Sequence, residues 1–244
     1  MTSEQRPSFQ PLYLQIKQLV MQSLDTREWH PGEAIPSEHE LALRYKVSQG
    51  PVRKAINALA VENIVVRRQG KGTFVATHTE EHASMFRFLR IRRKDGVDEY
   101  PNSRLLDLKR VKASAEVARL LLLKPGEAVV LLRRTLEFCG APVVLDEITV
   151  PAALFKGLTR ARYDAYRGSI YGFFETQFGV RMLRADERIT AIAADPASAA
   201  ILNVRSGTPL LAVERVAYTY GDRPVEWRRG LCSTKDHYYL NQLG

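Results

Sequence analysis

The chain has 244 residues, with 36 Lys and Arg against 27 Asp and Glu, a formal net charge of +9. That length favours two domains, each able to bury a core without disulfides or metals. No apolar run approaches the roughly 20 residues of a membrane-spanning helix, the opening MTSEQRPSFQ lacks a signal-type apolar stretch, and two cysteines, Cys139 and Cys232, exclude a disulfide framework. The expected compartment is a reducing cytoplasm. Positive charge of this size suggests an acidic partner, and it is concentrated: residues 41–76 hold seven Lys and Arg against one Glu.

The first third reads as helical. In PLYLQIKQLVMQSL, Leu12, Ile16, Leu19, Val20 and Leu24 recur at helical spacing, and His30-Pro31-Gly32 closes the element. Ser37 followed by Glu40 is a capping-box pattern that starts a second helix with Leu41, Ala42 and Tyr45 inward. A third, short helix follows Ser48, with Pro51 in its first turn and Val52, Ile56 and Leu59 inward. Two β-like runs, Ile64–Val66 and Thr73–Val75, are joined by the cationic, glycine-containing loop Arg67-Arg68-Gln69-Gly70-Lys71-Gly72.

Residues 77–104 read as a connector, polar and charged except for Met85, Phe86, Phe88 and Leu89, which are suited to docking on a following domain. From 105 onward strands and helices mix. LLDLKRV, VVLLRRTLEF, PVVLDEITVP, RMLRADERITAI, PLLAVERVAYTY and PVEWRRGLCS read as strands. SAEVARLLLL, SIYGFFETQF and DPASAAIL read as helices capped by Ser114, Ser169 and Asp195. Strands joined by tight turns favour an antiparallel sheet covered by helices, an α+β domain.

Three helices and a β-wing, the third helix short and basic, follow the winged helix-turn-helix plan, in which that helix enters the major groove. Its leading residues here are Ser48, Gln49, Gly50, Pro51 and Arg53. Gln49 suits adenine and Arg53 guanine or phosphate. Ser48 and the helix-start amides suit phosphate. Arg44, Lys54, Arg67 and Arg68 add phosphate-seeking cations, and Gly70, Lys71 and Gly72 form a wing tip able to approach a groove. The stretch AIPSEHELALRYKVSQGPVRKAINALAVENIVVRRQGKGTFVA resembles the winged-helix domain of GntR-family transcription regulators over residues 11–76. Two positions depart from that family's usual pattern: His39 and Gln49 each stand where an arginine is usual. The resemblance makes both DNA-contacting positions, so an altered base preference is expected, with His39 a pH-dependent phosphate contact.

In the second half, alternation sets Val130, Leu132, Arg134, Leu136 and Phe138 on one strand face and Val143, Leu145 and Glu147 on one face of the next. A cation in an apolar row needs a partner or a ligand. Arg134 therefore either pairs with an acid such as Glu147 or awaits an anionic ligand, and one arrangement can give way to the other. This half resembles the UTRA effector-binding domain of the HutC subfamily, of chorismate-lyase-like fold, through the stretches LLRRTLEFCGAPVVLDEITVP, GSIYGFFETQFGVRMLRADERITAIAA, ASAAILNVRSGTPLLAVERVAYTYGDRPVEW and STKDHYYL, over roughly residues 85–244. The resemblance implies a small-molecule pocket lined by Arg134, Glu147, Ser169, Tyr171, Glu226 and Tyr238. Leu136 stands where the family often has a second arginine, which weighs against a phosphorylated effector.

The expectations are these. Residues 1–76 form a winged helix-turn-helix, 77–104 a linker and 105–244 an α+β UTRA domain for effector binding and dimerisation, with a start near 85 as the alternative boundary. Function is sequence-specific transcription regulation by a homodimeric repressor, with a near-palindromic double-stranded operator and a small, anionic effector as partners. No membrane association, cofactor or metal is expected. His78 and His82 are four apart but lack a third ligand, and a solvated pair is favoured. There is no Walker loop, G-x-S-x-G or H-E-x-x-H, so catalysis is not expected. The alternative is an enzyme on an anionic metabolite with a DNA-binding appendage.

Overall fold

The computed structural model describes residues 10–78 and 88–241. The chain divides into two compact units, residues 1–77 and 78–244.

The first unit contains α1 (Leu12–Asp25), α2 (Glu38–Tyr45), α3 (Gln49–Val61), β1 (Val65–Arg68) and β2 (Gly72–Val75). The Ser37 and Glu40 capping box forms as expected, each side chain taking the other's backbone N–H. β1 and β2 pair antiparallel. Residues 32–35 add a third edge to this wing, with Ile35 N–H donating to Thr73 O and Val75 N–H to Glu33 O. Ile16, Val20, Leu24, Leu41, Val52, Ile56 and Leu59 fill the core. Leu12 and Leu19, expected on the inner stripe of α1, are 45% and 43% exposed. They flank the row Ile16–Val20–Leu24, which the helical period of 3.6 residues already brings to one line.

The second unit contains β3 (Ile91–Arg93), β4 (Asn102–Lys112), α4 (Ala115–Leu120), β5 (Ala128–Phe138), β6 (Ala141–Pro151), α5 (Arg160–Ala165), α6 (Ile170–Phe178), β7 (Arg184–Ala193), α7 (Pro196–Leu202), β8 (Pro209–Tyr218), β9 (Pro224–Ser233) and β10 (His237–Tyr239). Among the described residues, six strands form an antiparallel sheet in the order β4-β5-β6-β9-β8-β7, and β3 pairs with β10. Ser114, Ser169 and Asp195 cap their helices as expected. One sheet face packs Leu132 and Ile148 against Phe173 and Phe174 of α6. The other packs Val129 against α4 and Leu145 and Leu231 against α7.

Within the stretch expected as a connector over 77–104, the apolar residues described pack into this unit, Phe88 and Leu89 docking as expected, while Val97 and Tyr100 are about half exposed. His78 is 4% exposed and Ile91 5%, Phe88 packs on the α6 core, and Leu89 packs beside Leu136 and Val144. Met85, Phe86 and His82 lie outside the described residues. His78 is thus no solvated linker side chain. Its ring lies 5.8 Å from those of both Phe88 and Tyr171, its Nε2 is 2.8 Å from Met182 O, and its backbone N–H donates to Glu175.

Candidate nucleic-acid interface and effector cleft

α3 begins at Gln49 behind Ser48, whose hydroxyl makes no capping hydrogen bond. The leading amides belong to Gln49 and Gly50, since Pro51 has none, and they sit at the positive end of a 13-residue helix. A Cβ on Gly50 would meet nothing within 4 Å, so packing within the unit does not require glycine there, and the bare backbone is open to close approach. Gln49 and His39 are both exposed and touch each other, Gln49 Nε2 lying 3.1 Å from His39 Nδ1. The two departures from the GntR pattern therefore form one contact.

The cations expected to meet DNA differ in how they are held. Glu38 binds Arg53 Nε at 2.9 Å and Arg67 Nη2 at 2.6 Å. Slight burial opposes ionisation of Glu38, but its hydrogen bonds to Arg53 and Arg67 hold its carboxyl below the usual range. Arg44 is clamped through both terminal nitrogens by Glu28, with Trp29 and Tyr45 rings 5.4 and 5.7 Å away. Lys54 Nζ sits 4.2 Å from the Tyr13 ring centre, and the Arg68 guanidinium 4.6 Å from that of Phe74. Lys71 is exposed at the wing tip between Gly70 (φ +70°) and Gly72 (φ +110°), backbone angles that favour glycine.

In the second unit the hairpin register sets Arg134 opposite Asp146 and Arg133 opposite Glu147. Glu147 does share a face with Leu145, as alternation predicts, but that face points away from Arg134. It pairs with Arg133 at 2.9 Å, both side chains about a third exposed. The acid beside Arg134 is Asp146, whose Oδ2 accepts from Arg134 Nε at 3.1 Å and Nη2 at 3.0 Å. Alternation within a strand fixes which residues share a face, while the hairpin turn fixes which of them meet across the ladder.

Asp146 opens a chain of buried charges. Arg228 Nη1 reaches its Oδ2 at 3.4 Å. Glu226, fully buried, binds Arg228 at 3.0 Å and accepts the Tyr171 hydroxyl at 2.8 Å. Tyr171 in turn accepts from Arg215 Nη1 at 3.2 Å. Arg215 Nε donates to Glu187 at 2.7 Å, and Glu187 also takes the Tyr239 hydroxyl. Burial disfavours ionisation of Asp146, but Arg228 and Arg134 hold its carboxyl below the usual range. Burial pushes the Tyr171 hydroxyl up to about 12. Ser169 accepts from Gly172 N–H at 3.0 Å and so fixes the start of the helix that carries Tyr171.

These groups floor a cleft with two lobes. One has a volume of about 60 Å³, walled by Tyr100, Ser103, Ser169, Ile170 and Tyr171 above Arg134 and Arg228. The other has a volume of about 40 Å³, walled mainly by Leu136, Val144, Val213 and Cys232. Phe88, Leu89, Leu136, Arg215 and Arg228 belong to both. Of the expected pocket residues, Arg134, Ser169 and Tyr171 line the cleft and Glu226 lies beneath it. Tyr238 does not join them: it stands opposite Arg92 in the β3–β10 pair, 40% exposed. Its neighbour Tyr239, one step along the strand and so on the other face, reaches Glu187. Sequence reasoning missed Asp146, Glu187, Arg215 and Arg228. The signal was present in Arg215, which shares a strand face with Val213 and Ala217 as Arg134 shares one with Leu132 and Leu136.

A winged three-helix unit followed by a sheet-based unit with a buried ionic cleft defines a ligand-responsive DNA-binding regulator. The model of the UTRA domain family matches residues 99–238, and that of the bacterial regulatory proteins of the gntR family matches residues 12–75. The chain belongs to the UTRA-domain transcription regulators of the GntR family. It is similar to the "probable fructoselysine utilization operon transcriptional repressor" of Escherichia coli, 27% identical over 95% of this chain and 94% of that one. It is also similar to the histidine utilization repressor of Pseudomonas putida, 26% identical over 88% of this chain and 85% of that one. Among solved structures, the ligand-binding domain of a GntR-family regulator from Bordetella bronchiseptica is 45% identical. That match covers 64% of this chain and 98% of that one, with a TM-score of 0.62. No described helix is long and apolar enough to cross a membrane.

Proposed function

We propose that the protein is a cytoplasmic, homodimeric repressor that binds a near-palindromic operator through its first unit and is controlled by a small molecule held in the cleft of its second. The chain regulates and does not catalyse. The cleft carries this reading: a two-lobed hollow floored by buried ion pairs, in the same chain as a winged helix. On the first unit, Ser48, Gln49, Gly50, Pro51 and Arg53 present the base-reading edge together with His39. Arg44, Lys54, Arg68 and the wing tip Gly70, Lys71 and Gly72 present phosphate-binding groups. Two-fold protein symmetry sets operator symmetry.

The effector must bind the DNA-competent and DNA-released states unequally. A tenfold change in operator affinity needs only about 1.4 kcal/mol of coupling. The test is selection of bound sequences from random duplex DNA at physiological salt. A palindromic consensus with fixed half-site spacing is expected. Retention of DNA without any consensus contradicts sequence-specific regulation. In a reporter strain, Arg134→Ala is expected to abolish induction while leaving repression in place.

A further inference from the structure

We infer that the effector is a small, amino-acid-like zwitterion: its carboxylate lies at the Arg134 and Arg228 end of the cleft, its N–H-bearing cation at Asp146 Oδ1, and its apolar body in the aliphatic lobe. This rests on the effector-cleft reading above and names the ligand class for it.

The first observation is a charge balance. Among the described residues, the cleft floor sets Arg134, Arg215 and Arg228 against Asp146, Glu187 and Glu226, each paired as above. Arg90 adds a cation only at the rim, 35% exposed, where solvent screens it. A floor that is already neutral accepts a ligand of net charge near zero. A phosphomonoester brings about −1.5 to −2 and would leave buried charge uncompensated.

The second observation is where unused hydrogen-bonding capacity lies. Among the described residues, Arg134 Nη1 makes only long contacts, 3.3 Å to Ser103 Oγ and 3.4 Å to Tyr163 Oη. Arg228 Nη1 reaches Asp146 only at 3.4 Å. Both guanidinium groups can tighten onto a carboxylate in the aromatic lobe. Asp146 is 3% exposed, and its recorded hydrogen bonds all end on Oδ2. Oδ1 accepts none from a described residue. It sits over Gly230, where an added Cβ would come within 3.0 Å of it, and both residues line the aliphatic lobe. A carboxylate oxygen on the lining of the lobe, with no donor among the described residues and kept uncrowded by a mid-strand glycine, is a seat for a ligand cation. The walls around it, Leu136, Val144, Val213 and Cys232, suit an apolar remainder.

The test is calorimetric titration of the unaltered full-length protein with the proteinogenic α-amino acids, their deaminated carboxylates and glucosamine 6-phosphate. At least one amino acid with an apolar or aromatic side chain is expected to bind, and its deaminated counterpart to bind on the order of tenfold more weakly or worse. Asp146→Asn should narrow that gap, but the comparison on the unaltered protein stands whether or not the variant folds. Equal binding of the deaminated acid overturns the inference. So does an absence of amino-acid binding, with or without binding of the phosphate. In either case a bound probe lost in Arg134→Ala leaves the effector cleft standing, whereas a bound probe retained in Arg134→Ala and in Ile170→Trp removes the cleft reading itself.

Discussion

The backbone N–H of His78 donates to both carboxylate oxygens of Glu175, at 3.1 and 3.3 Å. The first residue of the second unit is thereby tied to α6, the helix that carries Tyr171. Glu175 also faces Arg181 at 3.5 Å, both side chains 3% exposed. Glu175→Ala takes its carboxylate away from the Arg181 cation and the His78 amide, and removing one member of a buried pair costs about 3–5 kcal/mol. Chemical denaturation followed by circular dichroism should show that loss in the transition of the second unit. A change within 0.5 kcal/mol would mean that the contact holds nothing.

On the proposed reading, Glu38 competes with DNA for Arg53 and Arg67, which it already binds. Glu38→Gln releases both and should tighten non-specific DNA binding, with a salt slope steeper by about 1 to 2. Arg53→Ala should weaken specific binding by about 1–3 kcal/mol. Fluorescence anisotropy at several salt concentrations separates the two. An unchanged slope in Glu38→Gln would show that the freed cations do not reach phosphate.

Gln49 and His39 are predicted to read bases as a pair. Gln49→Arg should move the selected consensus from adenine toward guanine at one position in each half-site. His39→Ala should leave that base unchanged but relax the preference, because Gln49 loses a neighbour 3.1 Å away. Sequence selection with each variant reads this directly, and identical consensus motifs for parent and Gln49→Arg would remove Gln49 from the reading edge.

The alkaline limit follows from Tyr171. Its hydroxyl is raised from an ordinary 10.0 to about 12 by burial. Above pH 10 the unfolded chain releases that proton while the folded one keeps it, so stability is full below 10 and falls between 10 and 12. Tyr171→Phe should flatten this fall. At neutral pH it should also cost about 1–3 kcal/mol, because Glu226 and Arg215 lose their shared hydroxyl. Melting temperatures of the two proteins across pH 7–11 test both points. On the acid side, Asp146 sits below the ordinary carboxylate range. Its contribution is present above pH 3.8 and fades as pH drops through its lowered value.

The local elements were legible because they are set by near neighbours. Ser37 with Glu40, Ser114, Ser169, and Asp195 with Pro196 each mark a helix start within a few residues, and all four form. Strand β9 runs over Pro224–Ser233, the stretch read as a strand after the turn Gly221-Asp222-Arg223. α5, β3 and β10 were not read because they are three to six residues long, too short for periodicity to show. The helices and wing of the first unit were legible, yet the sequence did not reveal that Glu28 and Glu38 already occupy Arg44 and Arg53. Those pairs join residues 16 and 15 positions apart. The cleft was half legible. Arg134, Ser169, Tyr171 and Glu226 stood out, whereas replacing Glu147 by Asp146 and Tyr238 by Tyr239 each needed one step of register that only the assembled sheet supplies.

The charge chain from Arg134 to Tyr239 threads five neighbouring strands, β5 to β7 through β6, β9 and β8, and closes through Tyr171. Asp146, Glu226 and Glu187 are each shared by at least two partners, so losing one of these acids takes a partner from more than one group. One such loss is several kcal/mol against a total stability of about 5–15. Redesign of what the cleft admits is consequently open through its walls. Leu136, Val144, Val213 and Ile170 can be enlarged, shortened or made polar one at a time, while removing an acid of the floor calls for compensating changes in the groups it pairs.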